Sequence, residues 1–447
     1  MPLPPNTTIL DLAAALVAGR TTSRALVEAA LADIADPATF IAVYDQARDA
    51  ADAQDRLRRA GYVASPLAGL PVSIKDLFDV AGERTRAGSK ALDDSAPATR
   101  DAAIVMRLRQ AGAVLIGRTN MTEFAFSGVG INPHYGTPGN PFDRARIPGG
   151  SSSGAAVSVK DGAAAVAIGT DTGGSVRIPA ALCGLVGFKP TQRRVPLAGA
   201  LPLSSTLDSI GPLGNSVACC AVTDAVLAGE VTEAPVPLPV AGLRLGVPQS
   251  FVLDGLDDDV AAAFARALSA LSRAGARVTD LPLAEFADYP AINTTGGFSA
   301  AEAFAWHRGL LARRGEDYDP RVRVRIERGG QMSAADYVTL AGERTRFIAR
   351  VAARAEPFDA LAFPTVPVVA PPFAAFADDK DYARLNVLIL RNPSIVNFLD
   401  GCAITLPIER SGEAPVGLML VGRTGEDRRL LALALGLEAA LAAERAG

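Results

Sequence analysis

Apolar residues recur along this chain with two periods, and the alternation of the two predicts an α/β protein. In "ILDLAAALVAG" and "SRALVEAALADIA", residues 9–19 and 23–35, they return every three or four positions, the spacing of an amphipathic helix, and Thr8, Thr21 and Thr22 stand where N-cap hydroxyls belong. "FIAVY" (40–44) reads as a strand and residues 45–60 as a charged helix. The texture then changes. "PLAGLPVSIKDLFDVAG" (66–82) is an apolar strand bounded by proline and glycine, with one lysine, Lys75, set among Val72, Ile74, Leu77 and Phe78. "DAAIVMRLRQAGAVLIGRTN" (101–120) reads as helix, glycine turn and strand, one crossover unit of a mostly parallel sheet.

Residues 125–215 are rich in glycine, serine, proline and threonine, and short apolar strands such as "AAAVAIG" and "GLVGFKP" alternate there with tight turns. Regular alternation returns downstream in "GLRLGVP", "DDDVAAAFARALSALSRAG" and "ARVTDLPL", and the chain closes with the strands "FDALAFPTVPVVAPP" and "PVGLMLVG" and a last helix, "EDRRLLALALGLEAAL". The pattern predicts one large α/β domain over residues 1–447, with a mixed, mostly parallel central β-sheet covered by helices on both faces. Loops of the segment 66–215 carry the chemistry, and a polar helical stretch, about 298–356, forms a wall of the substrate cleft.

Composition narrows the function classes. With 49% hydrophobic residues, 42 glycines and a net charge of -4, the chain fits a globular enzyme and no nucleic-acid partner. "MPLPPNTTIL" has neither a basic n-region nor an apolar h-region, and no apolar run is long enough to span a membrane, so a cytoplasmic location is expected. Cys183, Cys219, Cys220 and Cys402 are too scattered for a disulfide framework, and neither C-x-x-C nor H-E-x-x-H spacing occurs, so no metal site is expected.

Phosphate-binding glycine loops of either common pattern are absent. The chemistry concentrates instead on serine. "GTDTGGSVRIPA" (169–180) presents Ser175 after two glycines, between a strand and a short helix, but the two histidines of the chain, His134 and His307, stand in no recognisable catalytic setting. "GSSSG" (150–154) satisfies G-x-S-x-G, which makes Ser152 with His307 a Ser-His esterase candidate. Lys75 is either a structural lysine paired with a carboxylate such as Asp76, or a base whose pKa burial brings from about 10.4 to near 7.

Read together, "PGGSSSG" and "TDTGGS" resemble the amidase signature family, and "PLAGLPVSIKDLFDVAG", "AGAVLIGRTNMTEFAFSG", "NPHYGTPGNP", "LDSIGPL" and "PVGLMLVG" follow in the family's order over nearly the whole chain. The resemblance implies the amidase signature fold, no cofactor, and hydrolysis or transfer of carboxamide nitrogen by a Ser-Ser-Lys triad: Lys75, Ser151 after a cis Gly150–Ser151 bond, and the nucleophile Ser175. It further implies an oxyanion hole from the N–H groups of Thr172, Gly173, Gly174 and Ser175, with Ser152, Asp171 and Arg177 in support. "SSSG" stands where the family often has "SSGG", a departure at Ser153.

Two kinds of relative fit: a stand-alone hydrolase of small-molecule amides, the preferred reading, and the glutaminase subunit of the tRNA-dependent amidotransferase. In "LILRNPSIVNFLDGCAITLP", Cys402 falls where many relatives carry proline, and no acidic residue for the amino group of glutamine is apparent. Phe126 and Ser127 in "FAFSGVG" are candidate pocket residues, Arg325 and Arg391 are candidates for an acidic or polar substrate end, and Trp306 and Tyr337 are candidates for the outer cleft, with helix packing the preferred reading. A homodimer is one compatible assembly.

Overall fold

The apolar runs of the sequence become the strands of one sheet. In the computed structural model, which describes residues 3–4, 6–32 and 34–446, these are β1 (Phe40–Val43), β2 (Pro71–Lys75), β3 (Val114–Thr119), β4 (Val166–Asp171), β5 (Val186–Lys189), β6 (Ser209–Gly214), β7 (Arg244–Pro248), β8 (Arg277–Leu281), β9 (Ala360–Pro364), β10 (Cys402–Pro407) and β11 (Gly417–Gly422). They pair in the order β1-β3-β2-β4-β6-β5-β10-β11-β9-β7-β8. Side chains of β9, β10 and β11 alternate between two apolar clusters. Ala362, Ile404 and Leu418 pack with the helices Asp258–Arg273 and Asp427–Ala446, and Phe363, Ala403 and Met419 with the helices Ala334–Ala355 and Asp379–Phe398. Successive strand residues point to opposite faces, so helices cover both sides of the sheet.

The sheet is mixed, but the expectation of mostly parallel pairing is corrected. The crossover units yield parallel pairs at β2/β3, β2/β4, β7/β8 and β7/β9, whereas the other six pairings, including the whole centre of the sheet, are antiparallel. The strands β6 and β10 take part in four of those six, and neither announces itself in the sequence. β6 reads "SIGPLG", and proline and glycine ordinarily argue against a central strand. Here the glycine is what permits the central position: β5 approaches so closely that a Cβ at Gly211 would collide with the Phe188 carbonyl oxygen.

The helices Ile9–Val17 and Ser23–Ala32 are as predicted, and Asp33, in the stretch expected to continue the second, lies outside the described residues. A Thr8–Asp11 capping box starts the first. The polar stretch after residue 298 forms the helices Gly297–Arg314, Pro320–Arg328 and Ala334–Ala355. No helix among the described residues is long and apolar enough to cross a membrane, and all four cysteines are buried and free.

Candidate active site

Lys75 is the last residue of β2, a strand in which every position is buried. Its Nζ lies 2.7 Å from Ser151 Oγ and 2.9 Å from Thr170 Oγ1, the latter on neighbouring β4. Burial lowers the Lys75 pKa to about 7, although the carboxylates of Asp171 and Asp208 act in the opposite direction. The structural pairing with Asp76 does not occur, since Asp76 Oδ1 instead accepts from Arg118 Nε at 2.7 Å.

Ser151 follows a cis Gly150–Ser151 peptide bond. Its loop is stitched to the loop after β4, because the Ser152 N–H donates to the Ser175 carbonyl oxygen at 3.3 Å. Ser175 itself is nearly buried, and its Oγ has no hydrogen-bond partner among the described residues.

The loop 172–176 is shaped by Asp171. Its carboxylate accepts from the N–H groups of Gly174 (2.9 Å) and Val176 (3.2 Å), from Arg177 Nε (3.0 Å) and Nη2 (2.9 Å), and from Asn397 Nδ2 (2.9 Å). Burial alone would raise its pKa, but the Arg177 guanidinium and these donors hold the carboxyl well below the usual range. One expected N–H donor is therefore corrected: that of Gly174 is already engaged by Asp171, whereas those of Thr172, Gly173 and Ser175 have no partner among the described residues. Gly174 has φ +123°, and a Cβ there would meet Pro393 Cγ at 2.6 Å, so only glycine fits.

Asp171 and Arg177 are both fully buried, so removing one strands the other. Arg177→Met is expected to lower the unfolding free energy by about 3–5 kcal/mol, read from the urea midpoint. An unchanged midpoint would contradict the ion pair's structural role.

Ser175, Thr172 and Gly173 open on a cleft of about 480 Å³ that is also lined by Phe126, Ser127, Arg325 and Arg391, so all four predicted pocket residues share one wall system with Ser175. Lys75 and Ser151 are buried behind it. The Phe126 carbonyl accepts from Arg325 Nη1 at 3.0 Å. Ser127 Oγ donates to Asn386 Oδ1 (2.8 Å) and accepts from the Tyr382 hydroxyl (2.9 Å), which makes Ser127 a brace of its loop. Trp306 packs on Phe124 and His307, and the Tyr337 hydroxyl donates to Glu302 at 2.6 Å; neither lines the cleft.

The Ser152–His307 pairing is overturned. His307 is fully buried in an aromatic box with Phe124, Trp306 and Tyr318, its Nδ1 2.9 Å from the Tyr318 hydroxyl, and burial pushes its pKa down to about 3. Ser152 Oγ faces the Thr170 carbonyl at 3.4 Å instead. His134 contacts Glu123 at 2.8 Å, equally far from a triad role.

Several residues of the site lie outside those that the sequence singles out. Thr170 touches Lys75 but sits unremarked one step before Asp171. Asp208, in "LDSIGPL", accepts from Thr172 Oγ1 at 2.5 Å and from the N–H groups of Leu203 and Ser204, tying the Thr172 loop to the cleft wall. Burial raises the Asp208 pKa to about 6. Asn386 and Asn397 lie three turns apart on the helix Asp379–Phe398, a same-face spacing that could have singled them out.

Residues 20–431 match the Amidase family. The chain belongs to the amidase signature family. It is 40% identical over 401 residues to a 2-amino-5-chloromuconic acid deaminase of Comamonas testosteroni, covering 88% of this chain and 86% of that one. It is 34% identical over 470 residues to a glutamyl-tRNA(Gln) amidotransferase subunit of Roseiflexus sp. (strain RS-1), covering 95% and 94%. A crystal structure of an amidase superposes with TM-score 0.88 at 36% identity, covering 97% of this chain and 99% of that one. A peptide amidase in complex with the competitive inhibitor chymostatin superposes with TM-score 0.81 at 28% identity, covering 97% of each. The chain is thus a hydrolase of that family, acting on amide-type C–N bonds.

Proposed function

We propose that the protein hydrolyses the C–N bond of a small anionic carboxamide through an acyl-enzyme on Ser175. The observation that carries this reading is Lys75, an amine with a pKa near 7 at 2.7 Å from Ser151 Oγ, in the loop hydrogen-bonded to the Ser175 backbone. Neutral Lys75 takes the proton of Ser151 as Ser151 takes that of Ser175, and Ser175 Oγ forms a bond to the amide carbon. The oxyanion meets the free N–H groups of Thr172, Gly173 and Ser175, each such donor being worth about 3 kcal/mol in the barrier. Protonated Lys75 returns the proton through Ser151 to the leaving nitrogen, and the C–N bond breaks. Water then gives its proton to Lys75 by the same route, its oxygen attacks the ester carbon, and Ser175 leaves with the returned proton.

The active form of Lys75 is the neutral one, so kcat/KM for ammonia release is expected to rise with pH through about 7. Asp208 protonates just below, at about 6, and loosens its hold on Thr172, so the acid limb steepens beyond a single proton. A flat profile between pH 5 and 9, or one that falls through 7, contradicts the lysine base.

A second reading, the glutaminase component of an amidotransferase, is favoured by the 34% identity over 470 residues. Ammonia release from glutamine, with other small amides left intact, would select it. The similarity to a deaminase of a muconic acid favours the small-molecule reading, and the arginines of the cleft favour an acid.

A further inference from the structure

The cleft beside Ser175 is lined by three arginines, Arg325, Arg328 and Arg391, and by no aspartate or glutamate among the described residues. That is unusual for a chain whose net charge is -4. Arg321 and Arg323, on the same helix as Arg325 and Arg328, are ion-paired with Asp379, Glu316 and Glu327, but none of the three cleft arginines makes an ion pair with a described residue.

Two of them, Arg325 and Arg391, are nevertheless held in place. Arg325 donates to the Phe126 carbonyl at 3.0 Å, and its guanidinium stacks 5.1 Å from the Tyr382 ring centroid. Arg328 follows one turn later on that face of the helix Pro320–Arg328. Arg391 belongs to a different frame, the helix Asp379–Phe398, where it donates to the Asp254 carbonyl at 2.6 Å and to Asn392 Oδ1 at 3.0 Å and lies 5.7 Å from the Phe251 ring. Its neighbours Leu390 and Ser394 are what a Cβ on Gly173 would touch, at 3.6 and 3.7 Å, so Arg391 sits on the segment that backs the loop carrying Ser175.

Carbonyls and rings orient a guanidinium without neutralising it: of five N–H donors each, Arg325 spends one on the Phe126 carbonyl, and Arg391, whose Nη2 also donates to the Val252 carbonyl at 3.4 Å, keeps one on each terminal nitrogen for a ligand. A single carboxylate occupies one such fork bidentately and leaves the other frame uncompensated beside the apolar walls of Leu203, Leu207 and Phe251. Resting on the amidase reading of Ser175, we propose that the substrate is a dianion with a carboxylate at each of two ends. Arg325 and Arg328 hold one end, Arg391 holds the other, and the scissile carbonyl lies at Ser175.

The test is protection of Ser175 from a fluorophosphonate at constant ionic strength. The competitors are the dicarboxylates from succinate to suberate, set against monocarboxylates of the same lengths. A dicarboxylate is expected to slow labelling at about one tenth the concentration of its monocarboxylate partner, two charge-assisted contacts replacing one. Arg328→Met and Arg391→Met should each erase that advantage, and Arg384→Met, on the same helix as Arg391 but outside the cleft, should keep it. Equal protection by the two series, or an advantage that survives both cleft substitutions, overturns the proposal while leaving the amidase reading intact. Failure of the fluorophosphonate to label Ser175 at all overturns that reading, and the dianion with it.

Discussion

Lys75→Met is expected to lower kcat/KM for amide hydrolysis by about 10⁴-fold, because one group serves as base in acylation and as acid toward the leaving nitrogen. The same substitution is expected to raise stability. In the unfolded chain a lysine titrates near about 10.4, whereas folded Lys75 titrates at about 7, so below pH 7 the native state carries the full cost of a buried ammonium. Between the two values the unfolded chain binds the extra proton, and the cost shrinks as pH rises through that window. At pH 8 it is on the order of 3 kcal/mol. Loss of the contacts to Ser151 and Thr170, worth about 1 kcal/mol each, leaves a net gain of about 1 kcal/mol, measured by urea unfolding at pH 8. A lysine kept for structure would behave in the opposite way on both counts.

Ser175→Ala is expected to reduce kcat on the order of 10⁶-fold with little change in KM, since the substrate still meets the arginines and the loop N–H groups but no covalent step remains. Stability should change by less than about 0.5 kcal/mol, because Ser175 Oγ makes no hydrogen bond among the described residues. Ser152→Ala supplies the contrast. Ser152 Oγ makes only a long contact to the Thr170 carbonyl, at 3.4 Å, so its loss should cost less than about tenfold. Steady-state ammonia release by the two variants decides between the serines, and a greater loss in Ser152→Ala would return the nucleophile elbow to consideration.

The parts of the molecule legible in the sequence are those in which local pattern and tertiary role agree. Lys75 stands out because a lone amine in an apolar strand must be either paired or neutralised, and Asp76 turns to Arg118 instead. The loop after β4 stands out because Gly173 and Gly174 serve no purpose in a strand end except to admit something close, here Pro393 on one side and the cleft on the other. What stays hidden depends on contacts from far along the chain. Asn397 reaches Asp171 from more than two hundred positions away, and Asp208 holds Thr172 across paired β4 and β6. The helix Asp379–Phe398, with Pro393 inside it, and the strand β6, with Pro212, break local rules of propensity. Tertiary packing overrides both, and both bear directly on the site: one packs against the loop of Ser175, the other carries the residue next to Asp208.

The Ser152–His307 alternative shows the converse error. Its motif is locally satisfactory, but the histidine is sealed among Phe124, Trp306 and Tyr318, where burial keeps it neutral. A motif names residue types, and only the fold decides which of them meet.

The central claim is that Ser175 becomes acylated. Its most direct test is the intact mass of the protein quenched in acid during turnover of a slow ester analogue of the amide, followed by peptide mapping of the adduct. The account predicts an increase equal to the acyl group, located on Ser175 and absent from Ser175→Ala. An acyl group found on Ser152, or turnover that continues in Ser175→Ala at the wild-type rate, would contradict it.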